Sequence, residues 1–536
     1  MHYFAQVNCP VEWGFVSRRS YSDPFNEVQL DVVFTAPDGS EQRVPAFWAG
    51  EQEWRVRFAP SQVGDYRWRT ICSDAANASL HGVEGTLTAV PYEGNNPLFR
   101  RGRLQVSADG RYLQHRDGTP FLWLGDTWWM GLCKRLRFPG DFAVLTADRV
   151  QKGFSVIQIV AGLYPDMGAF DERSANEAGF PWEEGWQRIN PRYFDMADLR
   201  IWWLVRSGLV PCIVGCWGYY IHWLGVEKMR QHWRYIIARW GAYPVVWCLA
   251  GEILMPFYDD HPRPREWHEE YAQKTRAMWE EVARYVREID PYGHPVTAHP
   301  SVSARDSLSD SLLDFDMLQT GHGDRTSLPN TIQQVSRSYH REPVMPVVEG
   351  EVCYEGIGEA SRQEVQRLMF WACWLNGAKG FTYGANGIWQ VNTREKPYGP
   401  SPHGMAWGDT PWEEAYQLPG SAQLGMAKRL LERYEWWRIE PHPEWVEPHW
   451  SEQNCFLPFA AGIPGELRLI YVPAYQWRVT VKSLEPGTSY RALLFDPATG
   501  QEISLGEARG DEQGDWTTPV LPKFQDWLLI LESRQR

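Results

Sequence analysis

Eight short apolar runs separated by stretches of helical periodicity, with β-type alternation before the first and after the last, predict an α/β chain: a (β/α)8 TIM barrel flanked by two all-β sandwich domains. At 536 residues the chain has room for two or three domains, one of them large enough to be a barrel. Its balance of 43% hydrophobic and 22% charged residues is that of a globular protein that folds on its own, not of a disordered or fibrous one.

Residues 1–95 read as the N-terminal sandwich. A run over 28–34, a turn at Pro37-Asp38-Gly39, a run over 42–48 and a further strand pair bracketing Gln62-Val63-Gly64-Asp65 give short strands with Gly and Pro punctuation. From about residue 98 the pattern changes. Apolar runs over 120–126, 154–161, 209–216, 244–252, 295–300, 315–319, 345–351 and 379–384 number eight, with helical stretches near 193–207, 224–241, 265–289, 360–376 and 421–436 between and after them. Continuously apolar strands that end in a polar residue fit a barrel over 98–437, buried on both faces and carrying chemistry at its carboxyl edge. Residues 440–536 return to alternation, as in 466–471 and 526–531, and predict the second sandwich.

Composition excludes several function classes. A net charge of −14 without any basic run argues against a nucleic-acid partner, whose phosphates demand clustered Lys and Arg. Nine Cys scattered without a CxxC pair predict small buried hydrophobes at Cys212, Cys216, Cys248 and Cys373 instead of a disulfide framework. The first residues lack a basic segment followed by an apolar one, and no apolar run approaches membrane-spanning length. The expectation is a cytoplasmic protein without a membrane partner; a chain trimmed of a signal peptide, and so secreted, reads the same. Thirty Trp are many for this length. Most are expected in cores, and some as platforms for the apolar faces of sugar rings.

The strand ends of the expected barrel are Asp126, Gln158, Trp217, Glu252, His299, Gln319, Glu351 and Tyr383. Glu252 ends the fourth strand and Glu351 the seventh, positions that face each other across a barrel mouth. Two carboxyls about 5–5.5 Å apart, one protonated and one ionised, are what cleavage of a glycosidic bond with retention requires. Trp217, Trp247 and Tyr354 are the expected walls that hold their pKa values apart. Glu349 competes with Glu351 for the nucleophile, being two residues earlier and expected on the same face; Glu351 is nearer the strand's end. His222, His299, His322, Gln158, Gln319, Tyr219, Tyr220, Tyr383 and Trp389 suit recognition of sugar hydroxyls, and each is also an ordinary core or loop residue type. A metal site built on Glu252, His299 and His322 lacks any HxH or HExxH spacing, and Gly356-Ile357-Gly358 lacks the rest of a dinucleotide fingerprint. No cofactor is expected.

Three runs carry a family resemblance. Trp123-Leu124-Gly125-Asp126-Thr127-Trp128-Trp129, Trp247-Cys248-Leu249-Ala250-Gly251-Glu252 and Glu351-Val352-Cys353-Tyr354-Glu355-Gly356 resemble the apiosidase-like glycoside hydrolases, and the resemblance covers the whole chain. It implies a retaining-clan barrel between two sandwiches and a glycosidase of plant or microbial poly- or oligosaccharides. Glu252 is then the acid/base and Glu351 the nucleophile, while Asp126 and Trp128, with Trp129 beside them, line the subsite of the non-reducing sugar. The pattern departs at one place: members of the family carry Asp where this chain has Glu252. Two other readings remain open, a non-catalytic carbohydrate-binding protein and a metal-dependent barrel hydrolase or aldolase.

Overall fold

The computed structural model describes residues 1–258, 262–359, 361–405 and 407–533. Its centre is an eight-stranded parallel sheet. In chain order the strands are Trp123–Thr127, Val156–Val160, Val210–Val214, Val246–Cys248, Val296–Thr297, Asp316–Gly321, Val347–Val352 and Gly380–Tyr383, hereafter the first to the eighth. Each lies on one of the eight expected apolar runs; six end within two residues of expectation, while the fourth and fifth stop four and three residues short. The first pairs with the eighth, so the sheet closes on itself apart from the fifth and sixth strands. There, Asp314 N donates to Val296 O at 2.8 Å and Thr297 Oγ1 to Phe315 O at 3.0 Å, completing a nearly closed TIM barrel.

The surrounding helices form where apolar residues recur every three or four positions. Helix Arg265–Ile289 buries Trp279, Val282, Ala283 and Val286 against the barrel and leaves its charged face to water. Helix Tyr220–Trp240 has an interruption at Gly225, whose φ of 76° no helix accommodates, so the expected start near 224 falls at this kink. Helices Pro191–Arg206, Gln363–Leu375 and Pro419–Leu431 lie within a few residues of expectation.

Before the barrel, a five-stranded sheet (His2–Gln6, Leu30–Thr35, Glu41–Pro45, Gly64–Cys72, Glu84–Val90) faces a three-stranded one (Val11–Val16, Phe47–Gly50, Glu53–Phe58). Between them lies a core with Trp13, Trp54, Trp68 and a Phe34–Phe58 stack at 3.7 Å. The two strands bracketing Gln62 sit in opposite sheets, so they are not a paired hairpin; likewise the run 42–48 crosses between sheets at Ala46. After the barrel, a six-stranded sheet and a three-stranded one enclose another core. Among the described residues no helix is long and apolar enough to cross a membrane. All nine cysteines are free, and all but Cys9 are buried.

Candidate active site

The fourth strand and its continuation end in Gly251 and Glu252. A Cβ on Gly251 would stand 2.1 Å from the Trp217 ring, so only glycine lets that indole lie across the strand end. Glu252 follows with φ of 38°, a conformation uncommon for a non-glycine residue and typical of strained functional positions. Its Oε2 accepts from Trp217 Nε1 at 3.2 Å and its Oε1 from Gln319 Nε2 at 3.1 Å. Burial, then the nearby Glu351 charge, raises the Glu252 pKa.

Glu351 lies across the mouth. Its Oε1 is 2.8 Å from His322 Nε2 and 3.4 Å from Gln319 Nε2, and its Oε2 is 3.2 Å from His299 Nε2. Burial alone would raise its pKa, but the two imidazoles outweigh burial and bring it down to about 2. The His322 pKa responds oppositely: burial pulls it down, and the Glu351 carboxylate overcomes this and raises it. Gln319 therefore touches both carboxyls with one amide nitrogen, and the nearest oxygens of Glu252 and Glu351 cannot be farther apart than the sum of its two contacts.

The rival carboxyl, Glu349, is not on the same face. Leu318 pairs with Glu349 and the next residue, Gln319, with Glu351, so the seventh strand carries one extra residue, Gly350, in a β-bulge. A Cβ on Gly350 would meet Met317 Cγ at 2.6 Å. The slip turns Glu349 away from the mouth, where it hydrogen-bonds the Thr320 side chain, itself 2.9 Å from Thr331 of helix Leu328–His340. Glu349 is fully buried, and desolvation pushes its pKa well up.

Glu252 and Glu351 open onto a cavity of about 210 Å³. Of the residues read from the sequence as substrate contacts, Trp129, Trp217, His322, Tyr354 and Trp389 line it. Trp129 and Trp217 meet edge to face at 5.4 Å, Trp129 Nε1 donates to Tyr354 Oη at 3.1 Å, and Tyr354 stacks near Trp389 at 6.1 Å. Gln319 and His299 stand just behind, held on the carboxyls.

Other expected contacts are placed elsewhere. Asp126 is fully buried, accepting from Arg149 Nε and Trp128 Nε1 at 2.6 Å each, so both Asp126 and Trp128 brace the barrel wall and do not line the cavity. Gln158 is buried, donating to Gly350 O at 2.9 Å beside the bulge. Tyr219 spends its hydroxyl on the Tyr164 and Met167 carbonyls, and Tyr383 on Glu355. Tyr220 is buried within the ring cluster of Tyr219 and Trp223, and His222 bonds Thr275. Trp247, expected as a wall, points outward onto Trp233 and donates to Asp290 at 3.0 Å.

The sequence reading missed Asp166, Tyr258, His403 and Trp407, which complete the cavity from three long loops. Asp166 accepts from Trp407 Nε1 at 2.9 Å and hydrogen-bonds Tyr258, and burial raises its pKa. Its one local signal is that it falls in the long segment after the second strand, where no periodicity marks any residue. Among the described residues, no group of three or more His, Cys, Asp or Glu is arranged to hold a metal ion.

A nearly closed parallel barrel with a buried carboxyl pair at its carboxyl edge fits a glycoside hydrolase, and comparison with known proteins assigns that class and the family. The family model for the apiosidase-like catalytic domain matches residues 107–438, and the chain belongs to that family. A second model, a domain of unknown function, matches residues 6–73. No curated protein matches. Among solved structures, one described as a glycoside hydrolase shares 23% identity, covering 83% of this chain and 99% of that one, at a TM-score of 0.68. A glycoside hydrolase family 5 structure from Bacteroides vulgatus shares 22%, covering 83% and 96%, at 0.67. A putative glycoside hydrolase from the same organism shares 17%, covering 99% and 100%, at 0.69, which extends the likeness in fold over both flanking sandwiches.

Proposed function

We propose that this glycoside hydrolase acts with retention, by double displacement, on a plant or microbial polysaccharide or oligosaccharide. Glu351 is the nucleophile and Glu252 the acid/base. The observation that carries the reading is the opposite tuning of two carboxyls that share the Gln319 amide. Their nearest oxygens are no farther apart than the lower edge of the separation in inverting enzymes, about 6.5 Å, where a water must fit between.

In this reading a terminal sugar ring occupies the cavity between the Trp217 and Trp389 sides, with Asp166 available to its hydroxyls. Glu351, ionised, attacks the anomeric carbon as Glu252 gives its proton to the departing oxygen. The bond to the aglycone breaks, and a covalent glycosyl-enzyme forms. As the charge on Glu351 is consumed, Glu252 has become a carboxylate and takes a proton from the water that releases the sugar. Tyr354, whose hydroxyl bonds Glu351, steadies the carboxylate in the attacking orientation.

The test is hydrolysis of a panel of nitrophenyl glycosides and plant polysaccharides by the parent chain, Glu252→Gln and Glu351→Gln. Both substitutions are expected to lower kcat by at least ~100-fold. Azide should restore Glu351→Gly, giving a glycosyl azide of inverted configuration, and should give the retained azide with Glu252→Ala. A first product of inverted configuration from the parent enzyme, read by NMR, would overturn the double displacement; full activity in either Gln variant would overturn the residue assignment.

A further inference from the structure

On the C-terminal sandwich, three large rings stand outside every core. Tyr475, Trp477 and Phe524 are 76%, 51% and 56% exposed, although most aromatic side chains of the protein are buried. They touch one another: Tyr475 meets Phe524 edge to face at 4.9 Å, and Trp477 lies 5.7 Å from Phe524 at a tilt of 42°. They come from two loops, one after strand Leu467–Val472 and one before strand Trp527–Ser533, which are neighbours in the sheet. Leu521 N donates to Trp477 O at 2.9 Å, and Trp527 Nε1 to Lys523 O at 3.3 Å, so both loops are held. Tyr475 keeps a φ of 82°, a strained conformation for tyrosine, in holding its ring outward.

Two cations accompany the rings. Arg478 and Lys523 are exposed and form no ion pair among the described residues, in a chain whose net charge is −14. The one acid within these loops, Asp526, is buried against Arg367 and Tyr471. The patch is therefore apolar and locally positive on an acidic protein.

We propose that Tyr475, Trp477 and Phe524, with Arg478 and Lys523, form a secondary binding surface for a polyuronate, a polysaccharide bearing carboxylates. The rings stack on the apolar C–H faces of successive sugars, and the guanidinium and ammonium pair with carboxylates. A polymeric partner fits the molecule because the catalytic cavity holds about one ring, and a second foothold raises the effective concentration of chain ends at the cavity. Charge complementarity selects an acidic polymer, since a neutral one leaves both cations without a partner. The inference is independent of which carboxyl is the nucleophile.

The experiment is affinity electrophoresis of the intact protein in gels containing polygalacturonate, alginate or neutral mannan, with hydrolysis of a small glycoside followed in parallel. The expected result is retardation by the two polyuronates, weakening with salt and absent in mannan. Trp477→Ala, Tyr475→Ala and Phe524→Ala should each weaken retardation by up to about tenfold. The Arg478→Gln/Lys523→Gln variant should lose its salt dependence. Small-glycoside hydrolysis and melting temperature should stay at parent values, because all five side chains are exposed and outside the catalytic cavity. Equal retardation of parent and aromatic variants, or equal retardation in mannan, overturns the proposal. So does a concentration-dependent dimer in sedimentation that Trp477→Ala abolishes, which makes the patch a contact between copies.

Discussion

Glu252 and Glu351 are the same side chain in two surroundings, and the difference lies in their neighbours. Glu252 has an indole N–H and half of an amide, so burial dominates and favours the protonated form. Glu351 has two imidazoles, and its charged form wins down to about pH 2. A folded pKa below the ordinary 4.5 means that Glu351 stabilises the fold above that value and loses the contribution as pH falls from there toward 2. The acid limb of kcat/KM should therefore lie well below 4.5, and the basic limb should report Glu252. Replacing His322 by Leu removes one of the groups that hold the charge, so the acid limb should move upward while the basic limb moves less; an unmoved acid limb would show that His322 does not set the Glu351 charge. Asp126 gives the contrasting case. With Arg149 it forms a completely buried ion pair, and because Arg149 keeps its second partner Asp148, removing Asp126 costs about 1–3 kcal/mol, the loss of a charged hydrogen bond in the interior. Asp126→Ala should accordingly lower the unfolding free energy by about that amount in denaturant titrations. Its KM should change little where protein remains folded, and a selective rise in KM would return Asp126 to the substrate subsite.

The seventh strand is where one extra residue decides which carboxyl reaches the cavity. Strict alternation would put Glu349 and Glu351 on one face; the bulge at Gly350 separates them and delivers only Glu351. An added Cβ at 350 would press on Met317 Cγ at 2.6 Å, Met317 Sδ at 2.9 Å and the Leu318 carbonyl at 3.1 Å. Gly350→Ala should flatten or displace the bulge, costing about 1–3 kcal/mol and, by shifting Glu351 about 1 Å, roughly 100-fold in kcat. Retained activity with lowered stability would mean that the strand relaxes without moving Glu351. This bulge also marks the boundary of what was legible in the sequence. Eight apolar runs and their polar ends are written in residue type, because a parallel strand buried on both faces cannot hide its composition, and so Glu252 and Glu351 could be picked out by position. A one-residue slip leaves no such mark. Nor does partner choice: Asp126 and Trp247 sit at or in strands as expected, yet Arg149 and Asp290, distant in sequence, take their polar groups. Asp166, Tyr258 and Trp407 come from loops without periodicity, and only the closed barrel brings them to one cavity.

The C-terminal sheet serves two cores at once, which couples the sandwich to the barrel. Along Leu467–Val472, Leu469 and Tyr471 join the barrel's core while Ile470 and Val472 join the sandwich's own, so the strand is buried on both faces although its sheet is antiparallel. Tyr471 stacks near Trp371 of helix Gln363–Leu375 at 6.4 Å. From the same helix, Arg367 grips both oxygens of Asp526, at 2.8 and 2.7 Å, in a buried two-point contact that Tyr471 and Gln423 complete. That helix follows the strand bearing Glu351, so the sandwich supports the βα unit of Glu351 from behind. If this contact carries the coupling, the parent chain should unfold its barrel and C-terminal sandwich in one calorimetric transition. Arg367→Ala, which strands Asp526 at a cost of about 3–5 kcal/mol, should then split off an earlier transition. Arg367→Met, which keeps much of the packing volume without the charge, should also divide the transition if the ion pair is responsible. A single transition in both variants, merely shifted to lower temperature, would place the coupling in the shared apolar face of Leu469 and Tyr471, and Leu469→Ala would then be the substitution that divides it.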